Sequence, residues 1–196
     1  MTQAVGALEP GRAATRPGAS ALAVAASVAG AAVLAASVAL FAGFYNLRDA
    51  AATWPPDQVD FDEYLSAMLT MTLLLSGAVV GWASQASRLN NRRQVMAALA
   101  LAGGLGAAFV NLAWYTGMHA GFGPSSHAFG AIVISSLVLA AVAVDAGLGF
   151  LAVALLRYVL RSAEPSMIGA AARFYYFVVA AWIVSPVALY GLLSAK

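Results

Sequence analysis

The sequence predicts an all-α integral membrane protein, a bundle of five transmembrane helices with its N-terminus in the cytoplasm and its C-terminus outside. Three observations predict it. Of 196 residues, 62% are hydrophobic and only 9% are charged; a soluble domain carries about 25% charged residues, so too few polar side chains remain to cover a water-facing surface. Five apolar runs are each long enough to cross a hydrocarbon core about 30 Å thick, which takes about 20 residues of helix rising about 1.5 Å each. The basic residues fall on alternate turnarounds. Long runs without strand-like alternation favour helices over a barrel, because backbone groups in lipid must be satisfied within each segment.

The elements follow in order. Residues 1–19, rich in Ala, Gly and Pro with Arg12 and Arg16, read as a disordered cytoplasmic tail, and residues 20–196 as a single membrane domain. The first run, near 20–46, is no cleavable signal: its apolar core exceeds an h-region of about 7–15 residues, and its polar lead is long and weakly basic. The second and third runs lie near 65–87 and 94–117. The fourth, 128–159, is long enough to tilt or to project beyond the bilayer, and the fifth lies near 169–193. Stretches such as "GAAVLAAS" and "AALALAGGLGAA" let helix backbones approach closely where the hydrophobic effect cannot drive association. They suit a tight bundle or docking against a larger partner. No internal repeat is evident.

Charge placement gives the orientation. Arg12, Arg16, Arg88, Arg92, Arg93, Arg157, Arg161 and Arg173 fall on one side. The other side holds Arg48 and Lys196, with Asp49, Asp57, Asp60, Asp62 and Glu63 beside the former. The positive-inside rule puts the first side in the cytoplasm.

Catalytic chemistry is not in evidence. Cysteine is absent, which excludes disulfides and thiolate sites. The two histidines, His119 and His127, fall in the polar stretch "GMHAGFGPSSHAFG" and read as loop residues; a membrane haem or copper centre takes imidazoles projecting from helices into a bundle. No metal or cofactor is therefore expected in this chain. No nucleophile stands beside a base, no carboxylate pair lies in the membrane, and no glycine-rich phosphate loop leads into a helix. The carboxylates at 57–63 lack EF-hand spacing and read as a solvated acidic rim.

One residue stands apart. Asp145 interrupts the apolar stretch "AAVAVDAGLGFLAVALLR" near the middle of the fourth run. An ionised carboxylate at mid-bilayer costs at least about 2.5 kcal/mol even on lenient scales, so it faces protein or water, or is neutral. Candidate hydrogen-bond partners are Ser37, Ser135, Ser136 and Asn111. The leading reading is a structural acid pointing into the bundle or at a partner subunit; a proton-linked site and a lipid or other ligand contact are the alternatives.

Several stretches together resemble subunit III of the haem-copper oxidases, the cytochrome c oxidase type, in its short five-helix form. "TWPPDQVDF" supplies Trp54, Pro55 and Pro56 after the first helix, and "LLLSGAVVGWASQASRLNNRRQVMAAL" supplies Ser76, Trp82, Ala83, Arg92 and Leu99. Gly106 and Phe109 match a Gly-x-x-Phe step. "GLGFLAVALLR" gives Gly147, Phe150, Leu151 and Arg157; "AARFYYFVVAAWIVSPVALY" gives Phe177, Val178, Trp182, Pro186 and Tyr190. The resemblance runs in one order from about Ala32 to the C-terminus. The intramembrane polar positions depart from the pattern. Ser37 stands for a Glu, Ala113 and Thr116 for Gln and Glu, Ala140 and Ala143 for two His, and Tyr176 and Val179 for His and Asp. Asp145 follows the second lost His by two residues, about 200° round a helix, so it is no replacement on the same face.

The resemblance implies a divergent, non-catalytic accessory subunit of a terminal respiratory oxidase in a bacterial plasma membrane. Its partners would be subunit I, which carries haem and copper, and subunit II, with phospholipid and no nucleic acid. Arg157 would hold a lipid phosphate at headgroup level, or serve as an ordinary cytoplasmic anchor. Arg92, Arg93 and Arg161 read as plain anchors, and Trp54, Trp82 and Trp182 as interface or packing aromatics. Two rival functions stay open: an accessory or assembly protein of a nitric oxide reductase, and a small proton-linked transporter using Asp145. Against the transporter, five helices without broken, Gly/Pro-interrupted pairs fit inverted repeats badly.

Overall fold

The computed structural model describes residues 17–49, 63–160 and 165–193. Five helices account for them: α1 (Pro17–Asp49), α2 (Glu63–Arg88), α3 (Arg92–His119), α4 (Ala128–Val159) and α5 (Pro165–Leu193). All five contain a stretch long and apolar enough to cross a membrane. Each expected run lies within its helix, with ends that extend a few residues further. The expected tail up to residue 16, the Trp54-Pro55-Pro56 loop with Asp57, Asp60 and Asp62, Arg161, Lys196, and the side chains of Glu63, Pro186 and Tyr190 lie outside the described residues.

Local sequence fixes the helix ends. Prolines open α1 and α5, where the missing N–H is not needed and the fixed φ is already helical. The α2–α3 turn is built by consecutive asparagines. Asn90 takes the left-handed conformation, φ 56°, which Asn tolerates better than most residues. Asn91 caps α3, its side-chain oxygen accepting from the Gln94 N–H at 3.3 Å. At the other end of the bundle, His127 is the N-cap of α4, its Nδ1 accepting from the Gly130 N–H at 2.7 Å. His119 is the last residue of α3, stacked on Tyr115 at 4.1 Å between centroids. His119 therefore ends a helix, whereas His127 is a loop residue that caps the start of the next.

The helices alternate in direction along α2–α3–α4–α5, and successive members pack together. α1 lies against α5 and α4 and makes no packing contact with α2 among the described residues. Its small Gly30 sits over Phe177 of α5, and further along Phe41 and Phe44 cluster with Phe129 and Ile132 of α4. α5 is the central element: 56% of its spanning window is buried inside the bundle, against 22% for α1.

Several hydroxyl side chains in the spans satisfy themselves. Ser27, Ser37, Thr70, Thr72 and Thr116 each donate to the carbonyl four residues back, at 2.8–3.1 Å. Such back-bonding lets a hydroxyl sit in lipid or in the core without a partner from another helix.

Candidate functional site

The feature that organises the bundle is the run "FYYFVV" at 174–179 of α5. Successive large side chains point round the helix into small residues on every other helix. A Cβ on Gly30 of α1 would lie 2.6 Å from the Phe177 Cβ, and one on Gly77 of α2 would lie 3.0 Å from Val179. Gly81 of α2 lies directly under the Tyr176 hydroxyl. Gly147 of α4 would place a Cβ 3.0 Å from the Tyr175 ring, and Gly106 of α3 would place one 2.9 Å from the Tyr175 hydroxyl. These glycines are holes into which the α5 side chains fit, the close-packing role that small residues play between helices in lipid.

Tyr175 is the centre of this arrangement and has no exposed surface. Its hydroxyl lies 2.8 Å from the Ser76 Oγ, which itself donates to the Ala102 carbonyl at 3.1 Å. With the Ser76 proton committed, Tyr175 is the donor and Ser76 the relay, so one short chain of hydrogen bonds ties α5, α2 and α3 together. Beside it Trp182 packs edge-on against Phe109, 5.2 Å between centroids at 85°, and its indole N–H donates to the Thr70 Oγ1 at 3.1 Å. Both polar tips of these buried aromatics are thereby satisfied.

Five residues of the expected pattern lie close to one another here. Ser76, Gly106 and Gly147 surround Tyr175, and Phe109 and Trp182 form the adjoining pair. Sequence reasoning did not single out Tyr175 itself. The available signal was a run of large residues on the last helix facing a glycine on each of the others.

Ser37 lies elsewhere. It lines a small cavity between α1, α4 and α5 that also takes in Ala140, Ala143, Ser136 and Ser185. The cavity measures about 10 Å³, the lower limit for a single water. Three positions where the pattern would carry Glu or His, now Ser37, Ala140 and Ala143, therefore line one small cavity.

Asp145 is not in that site. It is exposed on the outer surface of α4, beside an apolar groove between α3 and α4. Ser37 and Ser136 spend their protons on their own helices, and no described residue hydrogen-bonds to Asp145. Of the readings open from sequence, an acid pointing into the bundle does not match this position. Among the described residues no three His, Asp or Glu side chains gather in a group that could hold a metal ion.

At the end of the bundle that carries Arg88, Arg92 and Arg93, Arg157 is exposed in the last turn of α4. Arg92 does more than anchor. Its guanidinium donates to the Tyr158 and Val159 carbonyls at 3.0 and 2.8 Å and lies 5.9 Å from the Tyr158 ring centroid. It satisfies carbonyls that the end of α4 would leave open and places a cation at the negative end of the helix dipole. Trp82 is half-exposed, whereas Trp182 is buried.

Comparison with known proteins agrees with this architecture. The family model for cytochrome c oxidase subunit III matches residues 27–192, from within α1 to the end of α5. A relative named cytochrome c oxidase subunit 3, from Artemia franciscana, is 29% identical over 161 residues, 78% of this chain and 62% of the relative. The chain thus spans less than two thirds of that relative's length. On the match over residues 27–192, the chain belongs to the cytochrome c oxidase subunit III family.

Proposed function

We propose that this chain is a non-catalytic accessory subunit of a haem-copper terminal oxidase. It packs in the membrane beside subunit I, which carries the haem and copper, in a complex that also holds subunit II. There it stabilises the catalytic subunit, retains phospholipid and supports proton uptake for oxygen reduction. The observation that carries this reading is the family match across all five helices. It is supported by the fate of two sets of residues. The packing positions Ser76, Gly106, Phe109, Gly147 and Trp182 all sit at helix junctions. The polar positions at 37, 140 and 143 hold only small side chains around a cavity of about 10 Å³. Packing is what this chain has kept.

Placement follows from charge. The end of the bundle with Arg88, Arg92, Arg93 and Arg157 faces the cytoplasm of a bacterial cell, by the positive-inside rule. There Arg157 reaches a lipid phosphate, for which a guanidinium is well shaped. Transport is disfavoured by the position of Asp145, which lies on the outside of the bundle rather than along an internal path.

Removing the chain from its host tests the reading. Membranes lacking it are expected to consume oxygen more slowly, with the catalytic subunit's haem spectrum present but the solubilised complex less stable to heat. Slowed nitric oxide consumption with unchanged oxygen consumption would move the assignment to a nitric oxide reductase. Unchanged rates and complex stability would contradict both.

A further inference from the structure

We propose that the groove between α3 and α4 beside Asp145 is the seat of one transmembrane helix from a neighbouring subunit, carrying a hydrogen-bond donor or a cation at the depth of Asp145. This rests on the accessory-subunit reading and names the surface and the chemistry of the partner that the reading requires.

The groove has a volume of about 350 Å³ and an apolar lining that includes Val110, Trp114, Met118, Val138 and Val142. Trp114 is 73% exposed and Val142 61%. Asp145 is among its lining residues. It lies 14 residues from the end of α4 and 17 from its start, so it is about 20 Å or more from either rim at about 1.5 Å per residue. That is near mid-membrane, where water is absent and an ionisable side chain requires a partner.

A second polar group shares this depth. The close approaches of Gly106 to Leu148 and of Gly117 to Leu137 belong to one antiparallel register, which sets Asp145 level with Phe109, within one turn of Asn111. Asn111 is also exposed and also lacks a hydrogen bond to any described residue. Hydroxyl side chains nearer the rim bond to their own helix, as Thr116 and Ser136 do. Asp145 and Asn111 do not, and both look away from the bundle.

The chemistry of the occupant follows. A lipid acyl chain fills an apolar groove but offers no donor to a carboxyl group. A phospholipid headgroup holds its polar atoms at the rim and presents an anion, which an acid repels. A second copy of this chain would have to set one concave groove against another, whereas a two-fold contact needs a self-complementary patch. A single helix with Arg, Lys, His or an amide at one position fits both the concave shape and the acid.

The test uses the complex in its native membrane. A photo-crosslinking amino acid is placed at Val142, the membranes are irradiated, and the complex is isolated in mild detergent through a tag on this chain. The expected result is an adduct mapping to a membrane-spanning peptide of another subunit of the same complex, with a donor side chain within one turn. Asp145→Leu, which is exposed and leaves the fold intact, is expected to lower retention of that subunit between about threefold and about twentyfold, the range of an interhelical hydrogen bond in a membrane. Asp145→Asn, which keeps an acceptor, lowers it less. Adducts with lipid alone or with a second copy of the chain, no protein adduct, or full retention by Asp145→Leu would overturn the proposal. Haem absorbance in the tagged fractions reports the accessory-subunit reading separately, so either can fail while the other stands.

Discussion

Tyr175→Ala is expected to destabilise the solubilised chain by about 3 kcal/mol or more, the scale of emptying a large buried aromatic site. The side chain has no exposed surface and fills the space between Gly147 of α4 and Gly106 of α3. Those glycines have no side chain to move into the void, so the surrounding helices can close it only by shifting as bodies. Tyr175→Phe is expected to cost only about 1 kcal/mol, the worth of one hydrogen bond. Ser76 keeps its bond to the Ala102 carbonyl in that variant, so no buried hydroxyl is left without a partner. Thermal unfolding in mild detergent, followed by gel filtration, separates the two variants. Equal stability of Tyr175→Ala and the parent would remove Tyr175 from the centre of the fold.

Gly30→Ala is expected to destabilise by about 1–3 kcal/mol, the usual cost of one extra methyl in a closed contact. The new Cβ would stand 2.6 Å from the Cβ of Phe177. A Cβ is fixed to its backbone, so no rotamer change relieves the overlap and α1 must move off α5. Gly103→Ala is the matched control: nothing lies within 4 Å of its added Cβ. There the same change removes backbone freedom from a helix interior and is expected to be neutral or to stabilise by up to about 1 kcal/mol. Opposite signs for the two substitutions, read in the same unfolding assay, distinguish a specific α1–α5 contact from general tolerance. A stable Gly30→Ala variant would show that α1 is held less closely than its position implies.

The fold was legible because lipid imposes few solutions. Length and hydrophobicity alone set the five spans, and the helices extend the expected runs by only a few residues. The pattern residues Ser76, Gly106, Phe109, Gly147 and Trp182 were singled out by the family resemblance, and the structure places them at helix junctions. Tyr175 was not, since its role comes from three other helices converging on it and no local sequence encodes convergence. Asp145 shows the same limit differently. Composition marked it as costly in the membrane, but whether it faced inward depended on the rotation of α4 about its axis. Helix amphipathicity gives little help when both faces are apolar. Arg92 read as an anchor because its contact, the far end of α4, is 66 residues away in sequence.

The claim on which the rest depends is that this bundle works as a fixed part of a larger redox complex. The direct measurement is the molar ratio of haem to this chain across the fractions of a mild-detergent purification made through a tag on the chain. A constant ratio through the elution peak, with haem-bearing membrane subunits present throughout, is the expected result. A chain that elutes alone and without haem, while the oxidase elutes complete in other fractions, would contradict it.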